Sequence, residues 1–403
     1  MELFWLEHKK LWRKKIVKIC VLLCFVYYVI FGSILLFQWF GFGSSDDYTS
    51  AFGNNFDGYT VIKDSQEYAL SFGGELTDET LQKIVSDYQQ MEADGMEEEL
   101  EKTDWQIVNS WLGTLYPELQ DTSNYKTMIS YVDPDKLTGF YERRQQVLDE
   151  FLEVSGQVGA EKEFLHQIER KVEKPFRYEW VEGWSTLLGS MVADLGVVMA
   201  LFLGIVLSSL FAGEWHDNTS TLVLTTRNGW GKIALAKILT GLAFTVELFA
   251  LLAVSNVISQ LFFMGTAGWD MPIQNIKLIA VAPMNMLQAE IYEYAFVLLG
   301  AIGFAGIVMF ISAAVKNNVL TLLLSLAVVY GPMMIVEYLP YEMQKALDLI
   351  PLVGSSTDIF RTNTFRIFGK LIWSPYLLIT IPVLIGILCM PFAIKSWSRR
   401  MKA

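Results

Sequence analysis

The amino-acid sequence predicts an all-α polytopic membrane protein with six transmembrane helices, an N-terminal interfacial helix and a mostly helical extracellular domain between the first two spans. Hydrophobic residues make up 53% of the 403 residues and charged residues only 18%, whereas soluble domains have about 25% charged residues. Six apolar runs have the length that crosses a bilayer as a helix, about 20 residues. One long polar segment separates the first two runs, which predicts a domain outside the membrane.

The six spans are predicted from runs with few or no charges. The first run, residues 19–40, contains no charged residue. It is too long for the apolar part of a signal peptide, so we expect it to be retained as a helix. The remaining spans are predicted at residues 186–211, 233–263, 294–315, 319–339 and 376–394.

The basic residues predict which side of the membrane each segment faces. Residues 1–18 contain six Lys and Arg, the tail 395–403 contains four, and the link 212–232 adds Arg227 and Lys232. Because cytoplasmic segments are enriched in Lys and Arg, both termini are predicted to be cytoplasmic. The link 340–375 also carries basic residues, but it carries acidic ones as well. We expect it to be extracellular because the first span usually determines the orientation.

The N-terminal segment, residues 1–18, has an amphipathic pattern. An apolar stripe at helical spacing lies apart from most of the Lys and Arg, which is typical of a helix in the membrane interface that contacts lipids. The alternative is a basic flank that only anchors the first span. The apolar stripe consists of Phe4, Trp5, Leu11 and Trp12, with His8 on the same face.

The segment 43–185 is predicted to form one extracellular domain. It contains 30 Asp and Glu but only 12 Lys and Arg, and no cysteine, so it depends on its own apolar core. Thr77 precedes two acidic residues and is typical of a helix N-cap. Further helices are expected before Pro117, after Pro134 and from Ala160. The acidic run 97–101 is interpreted as a solvated helix face in preference to a cation site.

The sequence contains no complete motif for catalysis, for phosphate binding or for metal binding. Residues 229–232 read Gly-Trp-Gly-Lys, which lacks the spacing and the hydroxyl of a phosphate-binding loop. The three cysteines lie in apolar runs without metal-ligand spacing. We therefore expect no enzyme activity, no metal and no cofactor in this chain, and no nucleic-acid partner.

The link 212–232 carries the pattern that is most informative about function. It resembles the corresponding segment of the permease subunits of ABC-2 type exporters. Those subunits have Phe-x-x-Glu at the end of the second span, then an aromatic residue, a Gly/Asn–Thr pair, an Arg and a Lys about ten residues further on. The matching positions here are Phe211, Glu214, Trp215, Asn218, Thr219, Arg227 and Lys237, with Asn218 where the family often has Gly.

This resemblance implies a function and a set of partners. It implies a permease subunit in a bacterial plasma membrane that pairs with a second permease, itself or a paralogue, and with two copies of an ABC ATPase that binds ATP and Mg²⁺. The large extracellular domain is similar to that of sodium-export and antimicrobial-peptide export or immunity permeases, so a peptide, an amphiphile or lipid, or sodium is the expected substrate. The coupling residues would be Glu214, Trp215, Asn218, Thr219 and Arg227; the alternative is an ordinary connecting loop.

Acidic residues at membrane depth are candidate functional groups. Asp194 in the second span and Glu247 in the third are predicted either to line a polar pathway or cation site or to pair inside the helix bundle. Glu290, Glu293 and Glu337 are expected to reach the membrane interface. A different class of function also remains open, a membrane-anchored sensor or assembly factor whose acidic domain binds a ligand or a cell-wall partner.

Overall fold

The computed structural model describes a mostly helical chain. The described residues are 2–39, 66, 73–95, 105–121, 126–188, 192–219, 231–354 and 362–399. The acidic run 97–101 and most of the link 212–232 lie outside them.

Two helices form the N-terminal part. Helix α1 covers Glu2–Arg13 and helix α2 covers Lys15–Trp39. Helix α1 has polar and apolar residues on different faces, whereas α2 is predominantly apolar after Lys18. The predicted first span, residues 19–40, falls on α2, and its use as a membrane span stays a prediction.

We call the segment between α2 and α8 the inserted domain (described residues 73–188). Its helices are α3 (Asp78–Ala93), α4 (Trp105–Leu115), α5 (Phe140–Val154), α6 (Ala160–Glu169) and α7 (Glu182–Thr186). The Thr77 side chain accepts a hydrogen bond from the Thr80 backbone N–H and so caps α3. Strands β1 (Gly74–Leu76) and β2 (Phe176–Tyr178) pair antiparallel and bring the two ends of the domain together.

Five described helices are long and apolar enough to cross a membrane. They are α8 (Val192–His216), α9 (Lys232–Met264), α10 (Met286–Ala314), α11 (Asn318–Ile335, continued by a 3₁₀ turn at Val336–Tyr338) and α13 (Ser374–Arg399). Buried apolar side chains from these helices form one core with parts of α1 and α2. The chain is therefore a membrane protein built around a helix bundle.

Helix α10 begins earlier than the predicted span 294–315, because its N-terminus is capped at Asn285. The Asn285 side chain accepts from the Gln288 N–H, and the Gln288 side chain accepts from the Asn285 N–H. Glu290 and Glu293 therefore lie inside the helix, 3% and 0% exposed. Protein surrounds both side chains, and the expectation that they lie at the level of the membrane interface stays a prediction.

The other boundaries differ for similar local reasons. Helix α8 extends to His216, beyond the predicted end of the second span at residue 211, so the first residues of the predicted link are helical. The link 340–375 contains a short helix α12 (Tyr341–Leu347) and a hairpin of β3 (Thr364–Ile367) and β4 (Lys370–Trp373). These two two-stranded sheets are small, and the chain is mostly helical, in agreement with the prediction.

The inserted domain does not stand alone, because the loop 265–285 between α9 and α10 completes its core. Met271, Ile273 and Ala280 pack with Leu148 of α5 and Trp373 of β4 in one buried cluster. The domain and the end of the bundle therefore form a continuous packed structure, and we call that end the domain end.

Candidate functional site

Helix α1 lies along α9 and is held there by Glu247. The Trp12 indole Nε1 donates to Glu247 Oε2 at 3.0 Å, and His8 Nε2 lies 3.2 Å from Glu247 Oε1. The Trp12 ring packs edge-on against Phe244, and Leu11 is buried beside them. Glu247 is 43% exposed in its side chain, so it serves as a docking point for α1 and does not face the interior of the bundle.

A cluster of charged side chains joins α1 to the ends of α8 and α9. Lys10 Nζ lies 2.6 Å from Glu214 Oε1, and Lys237 Nζ lies 2.8 Å from the same oxygen. Lys237 also pairs with Glu7 Oε2 at 2.8 Å. The remaining Glu214 oxygen accepts a hydrogen bond from the Thr219 hydroxyl. We call Glu7, Lys10, Glu214, Thr219 and Lys237 the Glu214 cluster.

Burial makes this cluster energetically important. Glu214 is 4% and Lys237 2% exposed, and two glutamates balance two lysines, so the cluster is neutral. Removing one partner of a buried ion pair leaves an uncompensated charge, which costs about 3–5 kcal/mol. Each of the three helices is therefore strongly tied to the other two.

Lys10 belongs to the Glu214 cluster and Lys14 lies beside it, and their pKa values shift in opposite directions. Burial disfavours the charged form of Lys10, but the hydrogen bond and charge of Glu214 outweigh it and hold the pKa of Lys10 above its usual value. Burial lowers the pKa of Lys14, and the nearby charges of Lys237 and Lys10 lower it further. Lys14 is not paired with Glu214; its Nζ donates to Ser209 Oγ at 3.0 Å.

Trp215 ties the same end of α8 to α13. Its ring packs against the buried Trp397 with ring centroids 6.2 Å apart, and Lys316 Nζ lies 4.3 Å above it. Phe211 packs against Trp397 from one turn earlier. The aromatic residue of the sequence motif therefore has a packing role that extends the Glu214 cluster to a fourth helix.

Asn218 ends α8 in a left-handed conformation, with φ of 56°. Its backbone N–H donates to the Trp215 carbonyl oxygen, and the Thr219 N–H donates to the Glu214 carbonyl oxygen. Glycine and asparagine are the residues that adopt this conformation most easily at a helix C-terminus. This explains physically why Asn218 can stand where the resembling family often has Gly.

The structure brings some predicted residues together and leaves others apart. Glu214, Trp215, Asn218 and Thr219 lie at one end of α8, whereas Arg227 lies outside the described residues. Asp194 lies in α8, but its side chain is also outside the described part. Of the predicted interfacial stripe, Leu11 and Trp12 face α9, Phe4 stacks on His8 at 5.5 Å, and Trp5 remains 62% exposed.

Lys10, Glu7 and Lys237 complete the Glu214 cluster, yet sequence reasoning did not assign them to a site. Lys237 belongs to the sequence motif, twenty-three residues after Glu214. Its place in the motif was the only sequence feature that connected it with Glu214. Nothing local predicted that Glu7 and Lys10 of α1 would meet it.

The Glu214 cluster consists of ion pairs between helices. The described residues contain no group of three or more His, Cys, Asp or Glu that could hold a metal ion. The cluster joins α1 to the end of α8 and the start of α9, the two helices that flank residues 220–230.

Comparison with known proteins gives no relative from which to carry over a role: no protein-family model, no curated protein and no solved structure matches this chain.

Proposed function

We propose that this chain is the membrane-spanning permease subunit of an ATP-driven exporter of the ABC-2 type, with the ATPase on a separate chain. In this proposal the link between α8 and α9 is cytoplasmic and contacts the ATPase, and the inserted domain is extracellular. A second permease, a copy of this chain or a paralogue, completes the pathway. The substrate class stays open between a peptide, an amphiphile or lipid, and sodium.

The observation that carries the proposal is the Glu214 cluster. Lys10, Glu214 and Lys237 come from three helices and converge where the polar link leaves the bundle. A simple loop would not require a buried glutamate and a buried lysine in a neutral set of ion pairs at its base. A subunit driven from outside does require a rigid connection, because a force on the link must reach the spans.

The test is ATP hydrolysis by a purified complex. The chain is expressed with the ATPase encoded nearest its gene and purified by a tag on this chain alone. We expect the ATPase to co-purify, and we expect Lys10→Met to lower the ATP turnover of the complex roughly five-fold or more, as for a coupling free energy of about 1–3 kcal/mol.

Lys9→Met is the matched control, because Lys9 is the neighbouring exposed lysine and lies outside the Glu214 cluster. It should leave turnover near wild type. The proposal fails if no ATPase co-purifies, or if both lysine variants behave alike.

A sensor or assembly factor is the second candidate, and one observation favours it. A cleft of about 360 Å³ lies between the inserted domain and the loop 265–285, with Lys171, Arg177 and Asp270 in its lining. Such a volume accommodates a small ligand. A sensor would bind its ligand without any ATPase, so binding by the chain alone, together with no ATPase co-purification, would favour this candidate.

A further inference from the structure

A buried polar cluster lies between α9 and α10 near the domain end. Asn256 is two turns before the end of α9, and Glu290 is about one turn after the start of α10. The Asn256 Nδ2 donates to the Tyr294 hydroxyl oxygen at 3.1 Å, and the Tyr294 ring packs against Phe249. The two antiparallel helices therefore bring an amide, a phenol and a carboxyl group into one region.

The carboxyl group of Glu290 is buried and has no cationic partner among the described residues. The residue is 3% exposed. The hydroxyl of Tyr294, one turn further along the helix, is its hydrogen-bonding neighbour. The Asn256 Oδ1 is likewise buried and has no donor. Oxygen acceptors therefore exceed donors at this place.

A buried excess of oxygen acceptors is unfavourable unless a positively charged group binds to them. Burying an ionised carboxylate without a partner is unfavourable by several kcal/mol of free energy. Within the described part of the chain, no Lys, Arg or His forms an ion pair with Glu290. The nearby Glu293, which is fully buried, adds a further acidic group and makes interactions of its own. The described residues therefore supply no positive charge to an ionised Glu290.

We propose that Glu290, Asn256 and Tyr294 bind a hard monovalent cation through oxygen atoms. Carboxylate, amide and hydroxyl oxygens suit hard cations, and the three residues offer neither nitrogen nor sulfur of the kind that transition metals prefer. One ionised carboxylate without a cationic partner matches a single positive charge. A divalent ion is disfavoured because the described residues contain no group of three or more acidic or other metal-binding side chains. The inference does not depend on the proposed function, because it concerns the chain by itself.

The experiment measures thermal unfolding of the purified full-length chain in detergent. The midpoint is followed against NaCl or KCl, with choline chloride keeping the ionic strength constant and CaCl₂ as a separate arm. A bound ion stabilises the folded state as RT ln(1 + [L]/Kd), so the midpoint should rise and then increase only logarithmically with the alkali-metal ion. Calcium should give no comparable rise.

Two variants and one control locate the effect. Glu290→Gln should remove the alkali-metal dependence, and Tyr294→Phe should raise the apparent Kd roughly ten-fold, about 1.4 kcal/mol. Tyr294→Phe keeps the ring and its packing, so it tests the site even if Glu290→Gln does not fold. Glu337→Gln is the control, because Glu337 is an exposed acid beyond the end of α11, and it should behave as wild type.

Three outcomes would overturn the proposal. Equal midpoints in choline and alkali-metal chloride would show that Glu290 is simply protonated and binds no ion. A response to calcium alone would show a divalent site. An alkali-metal effect that persists in both Glu290→Gln and Tyr294→Phe would place the ion elsewhere.

Discussion

Arg144 of the inserted domain donates a hydrogen bond from Nε to the carbonyl oxygen of Leu278, in the loop between α9 and α10, at 2.7 Å. A second bond runs from Arg144 Nη2 to the Ala280 carbonyl oxygen at 3.2 Å. The guanidinium is fully buried and also pairs with Glu169 at 2.6 Å. The indole of Trp111 adds a hydrogen bond to the carbonyl oxygen of Asn275. Hydrogen bonds therefore join the inserted domain to the loop between α9 and α10. A movement of α9 relative to α10 would change these hydrogen bonds.

The first prediction concerns this connection. Arg144→Met should lower the free energy of unfolding by about 3 kcal/mol, at the lower end of the range for breaking a buried ion pair, because Lys174 still pairs with Glu169 at 2.9 Å. Chemical denaturation of the purified chain in detergent measures the loss. Arg170→Met, at an arginine that is 67% exposed in its side chain, should change it by less than about 1 kcal/mol. Equal losses would show that Arg144 has no special role.

The second prediction is a pH dependence that belongs to Glu169. Burial raises the pKa of its carboxyl group, but the hydrogen bonds and charges of Lys174 and Arg144 lower it more, so its pKa lies below the usual 4.5. The unfolded chain then binds this proton more readily, and the stabilisation is present above the usual value and lost as the pH falls through the folded pKa.

The difference between wild type and Glu169→Gln isolates this one group from the other carboxylates. Unfolding free energies are measured from about pH 7 down to the acidic limit of the folded state. The advantage of wild type over the variant should be constant near neutrality and shrink below about pH 4.5. An advantage that stays the same throughout the acidic range would contradict the lowered pKa.

The third prediction tests the turn at the end of α8. Because Asn218 has a φ of 56°, Asn218→Ala should destabilise the chain by about 1 kcal/mol, whereas Asn218→Gly should be nearly neutral. Thermal unfolding of the two variants side by side measures the difference. If alanine were tolerated as well as glycine, the left-handed turn would not be present in the folded protein.

Long apolar runs allowed several helices to be predicted closely, while contacts between distant segments could not be foreseen. The span predicted at residues 233–263 corresponds to Lys232–Met264, because an apolar run of that length allows few alternatives. By contrast, Lys10 meets Glu214 across 204 positions, and no local pattern contains that information. The burial of Glu290, which is 3% exposed, could likewise not be read from the sequence around it.

Small residues were a useful signal of a different kind. Gly300, Gly303 and Gly306 at helical spacing predict close packing of the fourth span. In the structure Gly303 and Gly306 approach α13, whereas Gly300 approaches Leu352 in the link after α12. An added Cβ at Gly303 would meet the Pro382 backbone, and one at Gly306 would meet the Gly386 backbone. The spacing predicted a contact surface, but the partner helix α13 follows only from the three-dimensional arrangement.

The last prediction uses this close approach of α10 and α13. Gly306→Ala should destabilise the chain, because the backbone of Gly386 cannot move aside as a flexible side chain can. Loss of close packing between membrane helices removes van der Waals contacts that water cannot replace there, and overpacking typically costs about 1–3 kcal/mol. Gly331→Ala is the matched control, because it is also a glycine within an apolar helix but has open space around it. Thermal unfolding in detergent should show a lower midpoint for Gly306→Ala than for wild type. The midpoint of Gly331→Ala should equal that of wild type. Equal midpoints would mean that α10 and α13 do not pack at the distance described here.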